Sequence, residues 1–198
     1  MSGDAKAGRP GRTREMILAA AMEMFAESGF HGTSLRDIAG RSGLTHPGVL
    51  YHFPTKEALL MAVLERRDEV TGEDYPTEGT TAREVLRSLV GTARLNAGRR
   101  GLVELFATLS AEATSADHPA HEFFTQRYES LRDQVAGAFT ALAEDGALRP
   151  GVEPALAAIQ VIAMMDGLQV QWLLDDRIDM GRALAVHLDQ QVVTPLEA

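Results

Sequence analysis

The sequence predicts an all-α protein of about nine helices. Two observations carry that expectation. Apolar residues recur at three- and four-residue spacing along nearly the whole chain, and no run alternates apolar and polar residues as a half-buried strand would. Ser, Thr, Gly and Pro fall between the periodic runs, where helices start and stop.

Residues 1–12 are rich in Gly, Pro and basic side chains, which predicts a mobile arm carrying Lys6, Arg9 and Arg12. From Thr13 the set Ile17, Leu18, Ala21, Met24 and Phe25 predicts a first helix that stops at Ser28-Gly29. Thr33-Ser34 opens a short second helix; Ser34 and Asp37 form a capping-box-like pair, and Gly43 ends it. Thr45 suits the N-cap of a third helix, to about Phe53. Pro54 breaks that helix, and Thr55 caps a fourth through Leu59, Leu60, Val63 and Leu64. Thr71 to Gly79 reads as polar and turn-rich. Thr81 and Glu84 have capping-box spacing for a fifth helix to about Ala97. A sixth covers Leu102 to Ala113, with Ser115 to Pro119 as linker. The long seventh helix ends near Glu144, at Asp145-Gly146; the eighth runs from Ala155 to about Leu174, and the ninth from about Asp179 to Val193.

At 198 residues the chain can bury a core without staples. Hydrophobic residues at 45% and charged residues at 24% exclude wholesale disorder. The lack of cysteine excludes disulfide scaffolds, thiolate metal centres and thiol nucleophiles. The most apolar run, Ala155 to Met165, is too short for a bilayer span, and the N-terminus lacks the apolar core of a signal peptide. The expected address is the cytoplasm, with no membrane partner. A net charge of −9 argues against nucleic acid, but its distribution softens that. Residues 1–53 hold six basic and five acidic side chains, a net of +1, whereas the remainder holds 13 basic and 23 acidic, a net of −10. One end is thus suited to an anion and the body is not.

Ser34 to Phe53 is the informative stretch. Two short helices joined by a Gly-containing turn make a helix-turn-helix, with the motif at about 34–53. Ala39 is small where the helices cross, Gly43 permits the turn, and Leu44, Val49 and Leu50 are the expected anchors of the second helix. His46, Pro47 and Gly48 fall in its first turn, the end that enters a major groove in such motifs. Tyr51, His52 and Lys56 suit phosphate oxygens.

The run TSLRDIAGRSGLTHPGVLYHFPTKEALL resembles the DNA-binding signature of the TetR family of bacterial transcriptional regulators. The likeness extends upstream through ILAAAMEMFAESGFHGTS and covers about residues 12–64. MMDGLQVQWLLDD and RALAVHLDQQV resemble the family's last two helices more loosely. One departure is Leu50, where the family usually has the first of two aromatics. The resemblance implies a DNA-binding domain at 13–54 and a helical effector-binding and dimerisation domain at 55–198. It implies a ligand-responsive regulator, a repressor in the first instance, that binds a near-palindromic operator as a homodimer. The candidate DNA contacts are Thr33, Ser34, Arg36, Thr45, His46, Pro47, Gly48, Tyr51, His52 and Lys56.

The eighth helix is apolar nearly all round and is expected to be buried on every side. The resemblance gives its surplus apolar surface to a partner subunit, with Leu173 and Val186 as interface candidates, and to an effector pocket enclosed by helices four to eight. Met61, Phe106, Phe124, Tyr128, Met165 and Trp172 are its soft or aromatic candidates, and His121, Asp166 and Gln169 its polar ones. Asp117-His118-Pro119-Ala120-His121-Glu122 has no recognised zinc spacing, so neither a metal nor a cofactor is expected. No G-x-S-x-G, P-loop, H-E-x-x-H or dinucleotide fingerprint is present, so no enzyme is expected. The alternative is a helical interaction module of the same fold without specific DNA readout, which Leu50 and the acidic body would suit.

Overall fold

In the computed structural model, which describes residues 8–74 and 80–196 (backbone only at 8–10 and 67–74), α1 spans Gly8–Ser28. It starts well before Thr13, so residues 8–12 are helix and not arm. Pro10 permits this because it lies in the first turn, where a backbone N–H has no helical partner to lose. Residues 1–7 lie outside the described set.

Seven residues or more of helix follow at each later element: α2 (Leu35–Ser42), α3 (His46–His52), α4 (Lys56–Asp74), α5 (Ala82–Asn96), α6 (Arg100–Glu112), α7 (His121–Glu144), α8 (Pro154–Leu174) and α9 (Met180–Asp189). Among the described residues there are thus nine helices and no strand; one antiparallel bridge joins Leu148 to Val192. α4 continues through 71–74, where turn was expected. Thr71 and Gly72 cost at most about 1 kcal/mol each against Ala, which does not stop a helix already nucleated. Residues 75–79 lie outside the described set. α9 stops short of Val193, because Gln191 O accepts from Arg149 N and Val193 N donates to Ala147 O, both at 2.9 Å.

The chain forms two compact units, one of residues 1–70 and 104–121, the other of 71–103 and 122–198. The resemblance implies a division at 54/55, next to Pro54. Leu59, Leu60, Val63 and Leu64 of α4 are buried, and this stretch belongs with the helix-turn-helix: a proline breaks the backbone without ending a core. The first unit buries Ile17, Phe25, Ile38, Val49, Leu105 and Leu109 completely, and α2 packs on both α1 and α3.

In the second unit α9 packs on α5 and α8, around Leu86, Val135, Phe139, Val161, Leu184 and Leu188. The Thr81–Glu84 capping box forms as its spacing requires. Arg83 and Arg87 donate to the carbonyls of Thr194, Pro195 and Leu196 at 2.6–2.8 Å and tie the C-terminal segment to α5. α8 buries Ala157, Ala158, Val161, Ile162, Leu168 and Trp172 but leaves Leu156, Ile159, Val170 and Leu174 about half to four-fifths exposed. Within one chain the helix is therefore not buried on every side. At 21 residues it is also long and apolar enough to cross a membrane by length and composition, correcting the shorter run read from the sequence. The same is true of core helices, and one face of α8 is built into this core.

Candidate nucleic-acid interface and effector residues

The turn between α2 and α3 is built as its sequence demands. Ser34 caps α2, its hydroxyl oxygen accepting from Asp37 N at 3.2 Å and donating to the Asp37 carboxylate. Gly43 closes α2 at φ 70°, in the left-handed region that disfavours a side chain. Leu44 N then donates to Ala39 O at 2.9 Å and Gly43 N to Gly40 O at 3.3 Å, the paired bonds of a Schellman ending. Thr45 caps α3 by accepting from Gly48 N at 3.2 Å, and Pro47 sits in the first turn without cost. A methyl group on Gly48 would lie 3.2 Å from the Thr45 hydroxyl oxygen, so glycine protects the cap.

Val49 and Phe53 are buried and anchor α3 from behind, while Leu44 is half-buried. Leu50 is not an anchor: it is exposed, next to Tyr51, which is 85% exposed and meets His52 edge-on at 5.2 Å. Arg36, Thr45 and Pro47 are exposed, and His46, Gly48 and His52 half-buried. Arg41, exposed and basic, is tied to Glu23 and Glu27 of α1 at 3.0–3.2 Å, and that pairing holds the Glu27 carboxyl below its ordinary range.

Two candidates face inward. Thr33 is buried, its hydroxyl bonded to Met24 O at 3.1 Å and Gly29 O at 2.8 Å, so its side chain closes the α1–α2 turn. Lys56 donates to Phe30 O at 2.7 Å and Thr33 O at 2.9 Å and lies 4.1 Å from the Phe30 ring centroid. A lysine at a helix start is unfavourable for that helix; here the ammonium turns away to carbonyls of the turn that follows α1 and to the Phe30 ring. The sequence predicts a phosphate contact for this ammonium, because spacing shows where a charge starts and not where it ends.

The same turn is held from α6 by a residue that the sequence did not single out. Glu112 accepts Phe30 N at 2.8 Å, and its carboxylate rests on Gly29, where φ is 68° and a side chain would collide with it. His118 lies buried beside Glu112, Nε2 to Oε2 3.5 Å, and accepts Ala120 N on Nδ1 at 3.2 Å. At 3.5 Å its Nε2 makes no hydrogen bond, and burial holds its pKa below that of ordinary histidine despite the nearby carboxylate. Among the described residues no three acidic or histidine side chains are placed to hold a metal ion.

The effector candidates divide between the units. Met61, Phe106 and His121 belong to the first, where His121 Nδ1 lies 2.8 Å from Ala113 O. Phe124, Tyr128, Met165, Asp166, Gln169 and Trp172 belong to the second. There Tyr128 donates to Asp166 at 2.9 Å, Trp172 is buried with the Arg100 guanidinium 5.6 Å from its ring centroid, and Phe124 and Gln169 are buried. Burial raises the Asp166 pKa; the Tyr128 hydrogen bond and the Arg127 charge oppose it. Of the interface candidates, Val186 is exposed on α9 and Leu173 half-buried against its own core.

A capped helix-turn-helix thus stands in the first unit, and a larger helical unit accompanies it. Residues 17–63 match the family described as bacterial regulatory proteins, tetR family, and residues 82–192 match the BetI-type transcriptional repressor C-terminal domain. The chain belongs to the TetR family, and its C-terminal part to the BetI-type branch of it. It is 47% identical over 53 residues to the HTH-type transcriptional regulator RutR of Escherichia coli, a match covering 27% of this chain and 25% of RutR. The chain therefore spans about a quarter of the length of that relative. To the HTH-type transcriptional repressor KstR2 of Rhodococcus jostii it is 28% identical over 164 residues, covering 78% of this chain and 76% of KstR2. Among solved structures it resembles the SmeT–triclosan complex, at 25% identity and a TM-score of 0.71 over 90% of this chain and 88% of that one; SmeT is the repressor of a Stenotrophomonas maltophilia multidrug efflux pump.

Proposed function

We propose that this chain is a cytoplasmic repressor that binds a near-palindromic DNA operator as a homodimer and is released by a small-molecule effector. One observation carries the reading. α3 is fixed from behind by Val49, Phe53 and the Thr45 cap, while Tyr51 and Leu50 stand in solvent on its outer face. A helix anchored on one face with a bare aromatic on the other is ready to meet a groove without paying to reorder itself. Thr45, His46, Pro47 and Gly48 offer its first turn to base edges, and Ser34, Arg36, Tyr51 and His52 reach phosphates. The interaction module without readout is not favoured, since cap, turn and anchor are all kept.

The homodimer is supported by Leu156, Ile159, Val170 and Leu174, which share one narrow face of α8 at 100° per residue. Gly167 lies on the same face with open space where a side chain would be, so another helix can come close there. Val186 on α9 is bare as well. Effector binding in the second unit, around Tyr128, Asp166, Gln169 and Trp172, favours a state whose half-site spacing no longer fits DNA. The SmeT complex with triclosan supports a small organic effector. No catalytic step or bound metal is part of this function.

The test is selection of duplexes from a random-sequence pool by the purified protein, then mobility shift of the recovered duplex against a panel of small organic molecules. A recovered motif with two-fold symmetry, released by at least one compound, is the expected result. Recovery of no preferred sequence overturns the reading.

A further inference from the structure

We propose that Lys56 and Glu112 are positioning residues for DNA readout: from α4 and α6 they grip the same residue, Phe30, and so set the α1–α2 turn from which α2 and α3 proceed. This rests on the proposed DNA-binding role of the helix-turn-helix.

The grip is made of three contacts on one residue. Glu112 Oε2 accepts the Phe30 N–H at 2.8 Å, Lys56 Nζ donates to the Phe30 carbonyl at 2.7 Å, and the same ammonium lies 4.1 Å from the Phe30 ring centroid. Lys56 further donates to Thr33 O at 2.9 Å, directly before the Ser34 cap of α2. Two of the three ammonium donors are thus spent within the protein, on a half-buried side chain. Swinging the ammonium away from this turn would strip two carbonyls of a charged donor. On the other side, Glu112 occupies the space that Gly29 leaves by lacking a side chain. Charged hydrogen bonds to backbone groups fix a turn more tightly than neutral ones.

The chain's path gives this grip its consequence. It passes from the first unit to the second at 70/71 within α4, back to the first at 103/104 within α6, and out again at 121/122 within α7. α4 and α6 thus each reach Phe30 at one end and have residues in the second unit at the other.

The experiment uses the full-length protein and a duplex that the wild type recovers from a random pool. Lys56→Met keeps the stem and removes the charge; Glu112→Leu removes the acceptor. Each is expected to weaken binding about tenfold. The log–log salt slope is expected to stay unchanged for Lys56→Met, whereas loss of a phosphate contact would lower it by about 0.9. Lys56→Arg and Glu112→Gln keep a donor and an acceptor and should restore most of the affinity. The double variant should lose less than the two single losses combined, since both act through one turn. Amide hydrogen exchange is the second measurement. Residues 29–34 should exchange faster in Lys56→Met and Glu112→Leu, with α5, α8 and α9 unchanged. A lowered slope in Lys56→Met, full additivity, or unchanged exchange over 29–34 overturns the proposal. Failure of the wild type to recover any duplex would instead overturn the DNA-binding reading, and the exchange measurement would still decide the grip.

Discussion

Tyr128 on α7 donates a 2.9 Å hydrogen bond to Asp166 on α8, joining positions 38 residues apart. It supplies one partner to a carboxyl whose pKa burial raises. Because the folded pKa lies above the unfolded one, this group contributes stability at pH values below the unfolded pKa, and loses it as pH rises through the folded value. At neutral pH, well above the ordinary carboxyl pKa, Asp166 is therefore a cost to the fold. Asp166→Asn keeps an acceptor for Tyr128 and removes the charge. Its thermal midpoint at pH 7 should rise by a few degrees, and the gain should shrink toward pH 4. A scan of unfolding midpoint against pH for both proteins checks this; equal midpoints at pH 7 would refute it.

His118 has the opposite sign. Its folded pKa is depressed, first by burial, so the neutral ring is the form the fold favours. Stability from this group is present above the unfolded pKa and is lost as pH falls through the folded one. The protein should therefore lose stability as pH falls below the ordinary histidine pKa of about 6.5. His118→Asn, whose side-chain oxygen replaces Nδ1 as the acceptor for Ala120 N, should flatten that dependence at some cost in packing, on the order of 1 kcal/mol. Chemical unfolding at pH 7.5 and 5.5 gives the comparison, and an unchanged pH dependence in the variant would show that His118 does not carry it.

Val186 and Leu174 are exposed within one chain, so a charge at either leaves that chain's own core intact. In a dimer built on α8 and α9 the same charge would be buried unpaired, at about 1–3 kcal/mol or more. Val186→Glu and Leu174→Glu should weaken self-association tenfold or thereabouts with an unchanged helical signal. Leu173→Glu is a poorer probe, because Leu173 already packs on its own core. Sedimentation across the micromolar range is the measurement. A wild type that stays monomeric there would remove the interface altogether.

Local signals in the sequence located most elements, and their failures have physical reasons. The Thr81–Glu84 box, the Ser34 and Thr45 caps and the Gly43 stop all formed where spacing placed them, because each depends on atoms within a few residues. The start of α1 and the end of α4 were missed, since composition punishes Pro10 and Gly72 without seeing that one lies in a first turn and the other extends a nucleated helix. Within the candidate site, the outward face of α3 was legible from the motif. The inward turn of Lys56 was not, nor was Glu112, which lies 82 positions from Phe30; only the fold brings them together. Leu50 failed for a simpler reason: an apolar residue on a short helix reads as core until the exposed face is known.

The division of labour on α3 yields the last prediction. His46 lies in the first turn of α3, beside Pro47 and Gly48, neither of which has a side-chain hydrogen-bonding group. Among these three only His46 can read a base edge through its side chain, so His46→Ala should relax preference at one base position per half-site, by about 1–3 kcal/mol there. Tyr51 presents a neutral hydroxyl from a ring that is 85% exposed. A hydroxyl can hold a phosphate oxygen but carries no charge, so it displaces no counterion. Tyr51→Phe should then weaken every duplex about equally, and the salt slope should not move. Duplex selection with each variant, followed by titration of the recovered sequence at several salt concentrations, separates the two roles. If His46→Ala recovers the wild-type motif while Tyr51→Phe recovers a different one, the groove is read by the end of α3 and not by its start.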